Sequence, residues 1–444
     1  MRYAAAFKAG TALVAGGLLA GVALVGGALA PAVTAAPEPG RISVTPALPS
    51  PACVGELTVP VGAVEGDDFA SEPTQRTRAL FGAHASTDSS EVVDGAFGAS
   101  IERIADGDIA SYAALTCVRP ATTQWLVGGS TALGSSARLV LSNPTDANVE
   151  ATVTIYGGTG VLAEQRVLAI GAGQVEEMFL EGIQEGVDAL AVKVDSTGAG
   201  VVAAIEDSRL DGLQPAGTTW IAPTDTLGTS LVIPAVGAGD LDSSAVLRMI
   251  APDGATVSLT LVDASGAVGW SGVSDLVLDP GVVTDIEVPQ SAVGAVEITS
   301  DAPLAAAAQL TVSRASTIGA AGSVATDRTW VSAEQMPSST GEDPVLGVYA
   351  PGAGGAIMAY TPVATRLTLV DDTGAAVAEV QTSARAVTRI PLDDVAAGTL
   401  LQLQGRAAWS VLITAQPGFI ASMRPAPTTV APVDVDLVDG PYLP

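Results

Sequence analysis

The 444 residues include one histidine, two cysteines and only 4% aromatic residues. Lysine occurs twice, as Lys8 and Lys193. A single histidine excludes the paired-histidine spacing of zinc hydrolases. It also leaves His84 as the sole imidazole for a Ser-His-Asp system. His84 sits in a Ser- and Thr-rich stretch, and no serine has the strand–turn–helix setting of a nucleophile elbow. An exposed loop histidine is the plainer account, and we assign no catalytic residue. Few aromatics argue against a glycosidase with stacking platforms for sugar rings. Two lysines leave almost no lysine nucleophile. Cations are scarce altogether: 19 Lys and Arg face 47 Asp and Glu, a net charge of −28. That excludes nucleic acid as a partner, because phosphate backbones are gripped by clustered cations. It also disfavours docking on anionic lipid heads. Beyond the first 37 residues no segment keeps a helical period, which excludes a helix bundle.

One long apolar run is present. Arg2 and Lys8 precede an uncharged stretch over 9–37, "AGTALVAGGLLAGVALVGGALAPAVTAAP". A basic start before an apolar run is the pattern of an export signal. Val33, Thr34 and Ala35 offer small residues for cleavage; Ala28, Leu29 and Ala30 do too, but Pro31 follows them. The run also approaches the length of a membrane span, so residues 1–37 are either a cleaved signal or a retained anchor. The remainder is expected outside the cytoplasm, extracellular or on the cell envelope, touching a membrane only through this segment. Cys53 and Cys117 both follow the run. In an oxidising compartment an even pair is expected to form a disulfide, worth about 4 kcal/mol in the chain-entropy picture. Two thiols fall short of a zinc site, and we expect no metal and no cofactor.

The rest of the chain repeats itself. "VTIYGGTG" at 153–160, "LTLVDASG" at 259–266 and "LTLVDDTG" at 367–374 spell one strand and turn three times. In the first copy Val149, Ala151, Val153 and Ile155 alternate with Glu150, Thr152, Thr154 and Tyr156, the period of a half-buried strand. Each strand ends in a four-residue turn whose last glycine suits a positive φ, and an aspartate at the turn start can accept from its own backbone. "LSNP", "MIAP" and "AYTP" precede the three strands. "QVEEMFL", "VVTDIEV" and "AVTRIPL" follow them, then "LAVKVDS", "GAVEITS" and "LLQLQGR". After a short turn come "GVVAAIEDSR", "LAAAAQLTVSR" and "WSVLITAQ". Six or seven short strands per copy, with turns every 8 to 12 residues, point to an all-β fold of tandem immunoglobulin-like β-sandwich repeats. A β-propeller, with two blades from each copy, is the alternative. The expected organisation is a signal or anchor (1–37), a disulfide-tied β region (38–121), repeats over 122–217, 218–328 and 329–427, and a tail (428–444) that adds a last strand from Val433 or hangs loose. Trp125, Trp220 and Trp330 open the copies and are expected to cover the core where one repeat hands over to the next.

The stretch 117–160, "CVRPATTQWLVGGSTALGSSARLVLSNPTDANVEATVTIYGGTG", resembles DUF5719, a family of uncharacterised exported actinobacterial proteins. Cys117, Trp125, Gly128, Gly129, Ser130 and the later "GVVAAIEDSR" carry the resemblance. It implies an extracytoplasmic β-rich protein and supplies no catalytic residue. Such genes neighbour membrane glycosyltransferases, which hints at envelope polysaccharide.

Close carboxylate pairs occur at Asp67 and Asp68, Asp240 and Asp242, Asp371 and Asp372, and Asp393 and Asp394. All lie in turn-like surroundings that explain them without a ligand. Asp240, Asp242 and Ser243 offer hard oxygens for calcium, but no twelve-residue calcium loop is present, and a solvated acidic loop is favoured. Trp270 follows the second turn outside the repeating pattern, and is the one candidate ligand contact. The reading that follows is a non-enzymatic structural or interaction protein of the cell envelope, whose partner is an envelope protein or polysaccharide. A carbohydrate-binding protein is the alternative, and a hydrolase around His84 comes last.

Overall fold

The computed structural model describes residues 40–44, 51–54, 75–80, 86–87, 99–105, 110–163, 165–212, 214–224, 227–291, 293–316, 324–337, 345–415, 418–428 and 433–437. The apolar segment 1–37, the pair Asp67 and Asp68, and His84 lie outside the described residues. Within them every regular element is a strand, there is no helix, and no sheet closes into a barrel. The chain forms two units, 1–46 with 431–444, and 47–430. In the first, Gly40–Val44 pairs antiparallel with Val433–Leu437, so the tail does supply a last strand.

In the second unit the three repeated strands hold the same place. Val149–Gly157 lies between Arg166–Ile170 and Ala191–Ser196. Ala255–Asp263 lies between Leu276–Leu278 and the first half of Gly294–Ala315. Arg366–Val370 lies between Ala376–Gln381 and Leu400–Gln404. Their alternation decides this. Val257, Leu259 and Leu261 are buried, while Thr256, Ser258 and Thr260 between them are half-buried. The turns behave as their residues dictate. Asp263 Oδ1 accepts from the Ser265 amide at 2.7 Å and its hydroxyl at 2.6 Å. Asp371 Oδ1 accepts from the Thr373 hydroxyl at 2.6 Å and from its amide at 2.9 Å. These bonds, the hydroxyls' first, hold both carboxyls below their ordinary range. The closing glycines, Gly160, Gly266 and Gly374, have φ of +99°, +122° and +80°.

Each copy has a second sheet. In the first copy it orders Val175–Phe179, Ser135–Ser142, Val202–Asp211 and Gln214–Ile221. The copy's two sheets share one apolar cluster, with Leu139, Leu141, Ala203 and Ile205 from this sheet and Val153, Ile155, Val192 and Val194 from the other. The second copy departs from the expected turn after "EITS". Gly294–Ala315 is one strand of 22 residues that passes from one sheet to the other. Its first half pairs Ala255–Asp263 and Gly228–Ile233; its second half pairs Ser243–Ile250 and Val324–Ser332. The change of sheet coincides with a register shift opposite Gly228 and Ser230, where a bulge bends the strand without ending it. Pro303 ends no strand there because bulges and edges tolerate a missing donor.

A further sheet precedes the first copy, in the order Ser86–Thr87, Gln75–Leu80, Ser100–Ala105, Ser111–Thr116. Its last strand and the last strands of the three second sheets stand side by side in a ring: Ser111–Thr116, Gln214–Ile221, Val324–Ser332 and Phe419–Met423. No backbone ladder joins these inner strands. Side chains do. Arg328 Nε donates to Ala216 O at 2.6 Å, and Ser422 Oγ donates to Trp330 O at 2.5 Å. Ser111–Thr116 closes the ring by using both faces. Tyr112 and Ala114 enter the third copy's core, while Ala113 and Leu115 meet Val140, Val202 and Trp220 of the first copy's side.

Two expectations change here. The boundaries at 217/218 and 328/329 fall inside inner strands, because each copy's opening segment completes the sheet of the copy before it. Each copy also contributes one four-stranded sheet to the ring, not the two blades expected of it in a propeller; with the sheet before the first copy the ring has four such sheets. Trp220 and Trp330 ride on these handover strands, whereas Trp125 lies on the first copy's own strand Thr123–Val127. All three are buried, but they are not equivalent positions.

Candidate functional site: two ends of the inner ring

The amino halves of the inner strands enclose charge. Arg103, on Ser100–Ala105, is fully buried and donates from Nη1 to Ser111 Oγ at 2.8 Å. Burial lowers its guanidinium pKa to about 10, and Glu206 and Asp327 oppose that shift. Asp327 is also fully buried and accepts from the Ile420 amide at 2.8 Å. Burial pushes its carboxyl up to about 7, against the pull of that bond and of Arg314. Asp207 Oδ2 accepts from the Trp330 indole at 2.7 Å. Arg314 lies over the Phe419 ring at 4.8 Å, and burial lowers its pKa too. Three strands of different copies therefore meet through charged groups with almost no water around them.

Beside this hub, Arg248 joins the first two copies. It forks onto Asp285 at 2.8 Å through both Nε and Nη2, and donates from Nη1 to Gly129 O at 2.6 Å. Gly128 has φ of +149°, and a Cβ there would stand 2.7 Å from Ile221 Cδ1 and 2.9 Å from the Trp330 ring. The "GGS" turn is thus a close approach of backbone to the next copy's tryptophan.

At the carboxyl ends of the inner strands lies a cavity of about 410 Å³. The residues that follow each strand wall it: 118–121, Pro223, 334–337 and 424–427, with Pro51, Leu346, Leu403 and residues 407–409 from around it. Six of these are prolines: 51, 120, 223, 337, 425 and 427. Arg424 donates to Glu334 Oε1 at 2.6 Å and to Pro223 O at 2.7 Å. The arrangement offers no nucleophile beside a base. It offers a walled space with a few donors, which suits binding.

The disulfide between Cys53 and Cys117 forms, and Cys117 reaches the rim of this cavity. Trp270 lies elsewhere, half-buried against the second copy's core. Asp240 lines a separate cleft of about 150 Å³ that Arg389 also enters. Asp242 accepts from Gln290 at 3.3 Å, and Ser243 Oγ accepts from the Ala238 amide at 3.3 Å. Among the described residues no three His, Cys, Asp or Glu side chains come together as metal ligands. Residue patterns left the hub unmarked. Its signal is a charge set where both strand faces are apolar, as in "VVAAIEDSR" and "SIERIA".

No curated protein and no solved structure matches this chain. One family model, described as a family of unknown function, matches residues 70–384, from the sheet before the first copy into the third copy. Within that span Gly128, Gly129, Asp207 and Trp330 stand at joints between copies. The chain belongs to the DUF5719 family.

Proposed function

We propose that this is an exported, non-enzymatic structural or interaction protein of the cell envelope. In this reading three tandem immunoglobulin-like sandwiches follow a signal or anchor, and the protein holds an envelope protein or polysaccharide. The observation that carries it is the set of buried contacts between copies, at Arg248, Gly128, Arg328 and Trp330. They lock the copies into a ring, which is what a rigid scaffold needs and what a catalytic site does not use. The Cys53–Cys117 bond supports an oxidising location. A sugar-stacking platform has less support, since Trp125, Trp220, Trp330 and Trp409 are all buried. Deleting the gene and analysing surface sugars and envelope proteins tests the role. An altered polymer, or loss of one envelope protein from the surface, is the expected result. An unchanged envelope, with the protein recovered from the cytoplasm, sinks the proposal.

A further inference from the structure

We infer that the face of Val175–Phe179, in the first copy, docks a second protein, one that presents apolar side chains among lysines or arginines. The three copies supply the argument. Val175, Val283 and Val387 hold one register position: they stand opposite Ser142, Ile250 and Tyr360, each two residues before its copy's proline. In the second and third copies this valine is covered by the copy before. Val283 joins the first copy's core and Val387 the second's, and they are 4% and 2% exposed. Val175 is 47% exposed. The inner part of its face is covered, since Val140, Val202 and Ala204 share a cluster with Ile101, Ala113 and Leu115. Within residues 47–430 the described chain before the first copy forms one sheet, where each copy has two. That sheet covers the inner strands and stops short of the edge strand. Phe179 stands on the bare part, 39% exposed, where the other copies have Glu287 and Pro391. A bare valine and an aromatic, continuous with a buried interface, mark a docking surface.

Charge chooses the occupant. Glu177 on this face pairs with Arg138 at 3.1 Å. Glu176 beside it is exposed and adds to the field of a chain with net charge −28, which attracts a basic surface and repels an acidic one. That field disfavours a second copy of this chain. At both internal joints the covering is done by the end of the repeated strand and its turn. A Cβ at Gly281 would stand 3.6 Å from the Tyr156 ring, and one at Gly266 3.9 Å from Arg385 O. In the third copy the same turn carries Asp371 and Asp372, so a second copy would bring carboxylates towards Glu176. The inference rests on the interaction reading above but not on the envelope role. Gene deletion judges that role, and cross-linking judges this face.

Both cysteines are held in the disulfide, so Phe179→Cys offers a single thiol. In the purified full chain that thiol should react with a maleimide at the rate of an exposed cysteine. In producing cells, benzoylphenylalanine at position 179 should cross-link the chain to one other protein, through a segment that combines apolar residues with Lys or Arg. That protein, once purified, should bind the wild-type chain, and Phe179→Ser and Glu176→Lys should each weaken it by about tenfold or more. Far-ultraviolet dichroism and the melting temperature check that each variant folds. A shielded thiol in the purified chain, no cross-link, a cross-link within one chain or between two copies, an acidic cross-linked segment, or undiminished binding by a folded Phe179→Ser chain overturns the inference.

Discussion

The joint between the first and second copies and the joint between the second and third are built from opposite charges. At the first, the buried member is a cation. Arg248 has a side chain only 6% exposed, and its partner Asp285 is 35% exposed. At the second, the buried member is an anion. Glu297, with a side chain 9% exposed, accepts from Tyr360 Oη and from Arg385, whose side chain is 54% exposed. Burial and the bond to Glu297 push the Tyr360 phenol pKa well up. The position that holds Arg248 is occupied differently in each copy. Arg248 stands opposite Asp285, and in the third copy Met358 stands opposite Arg389 at the matching place. In the first copy Val140 stands opposite Glu177. Each of these positions faces the module before it, and each neighbour is different. The repeat fixes where a sheet goes, while joint chemistry is settled pair by pair.

The largest expected effect breaks the first joint. Arg248→Met keeps the apolar stem but leaves Asp285 and the Gly129 carbonyl without their donor. Asp285 is 35% exposed and can turn to solvent, so the loss is that of charged hydrogen bonds with a buried carbonyl left unpaired, about 2–3 kcal/mol. Denaturant titration should therefore show a large drop in midpoint, with the first copy loosened before the third. Gly128→Ala attacks the same joint without touching charge. The added methyl meets Ile221 and the Trp330 ring, and overpacking of this kind costs about 1–3 kcal/mol. If Gly128→Ala proves neutral by thermal melting, the close approach does not hold the joint.

Much of this was legible beforehand. The three repeated strands and their turns could be read because period two and turn chemistry are local, and the disulfide because two cysteines alone follow the apolar segment. The handover of strands could not. Gln214–Ile221 and Val324–Ser332 look like the openings of new copies, yet their alternation fits either neighbour's sheet. Only packing decides, since a strand with two buried faces carries no mark of which sheet it joins. The hub was hidden for the same reason: Glu206 and Asp327 are buried by strands far away in the sequence.

Asp327 lets the comparison be made by pH alone. Its folded pKa is raised to about 7 from the ordinary carboxyl value of 3.8. A carboxyl raised in this way favours the fold while it is protonated. Its penalty therefore appears as pH climbs through 3.8 and is complete above about 7. Asp327→Asn retains an oxygen for the Ile420 amide and cannot ionise. It should be more stable than the parent at pH 8 by a few kcal/mol, the ionisation penalty that the parent alone bears there. The gain should vanish below pH 4. Melting curves of the two chains from pH 4 to 8 that run parallel would show that Asp327 does not titrate in the fold.

The smallest expected effect sits at the second joint. Arg385→Met removes an exposed cation from a buried anion that keeps its Tyr360 donor. Solvent already screens Arg385, so the loss should be about 1 kcal/mol. Tyr360→Phe takes the buried donor instead, and should cost about 1–3 kcal/mol because Glu297 is then left to an exposed partner. The double variant separates the two, since groups that share one carboxylate do not add independently. A larger loss from Arg385→Met than from Arg248→Met would reverse the ranking of the two joints. It would mean that exposure, which orders every magnitude here, is the wrong guide to what holds the copies together.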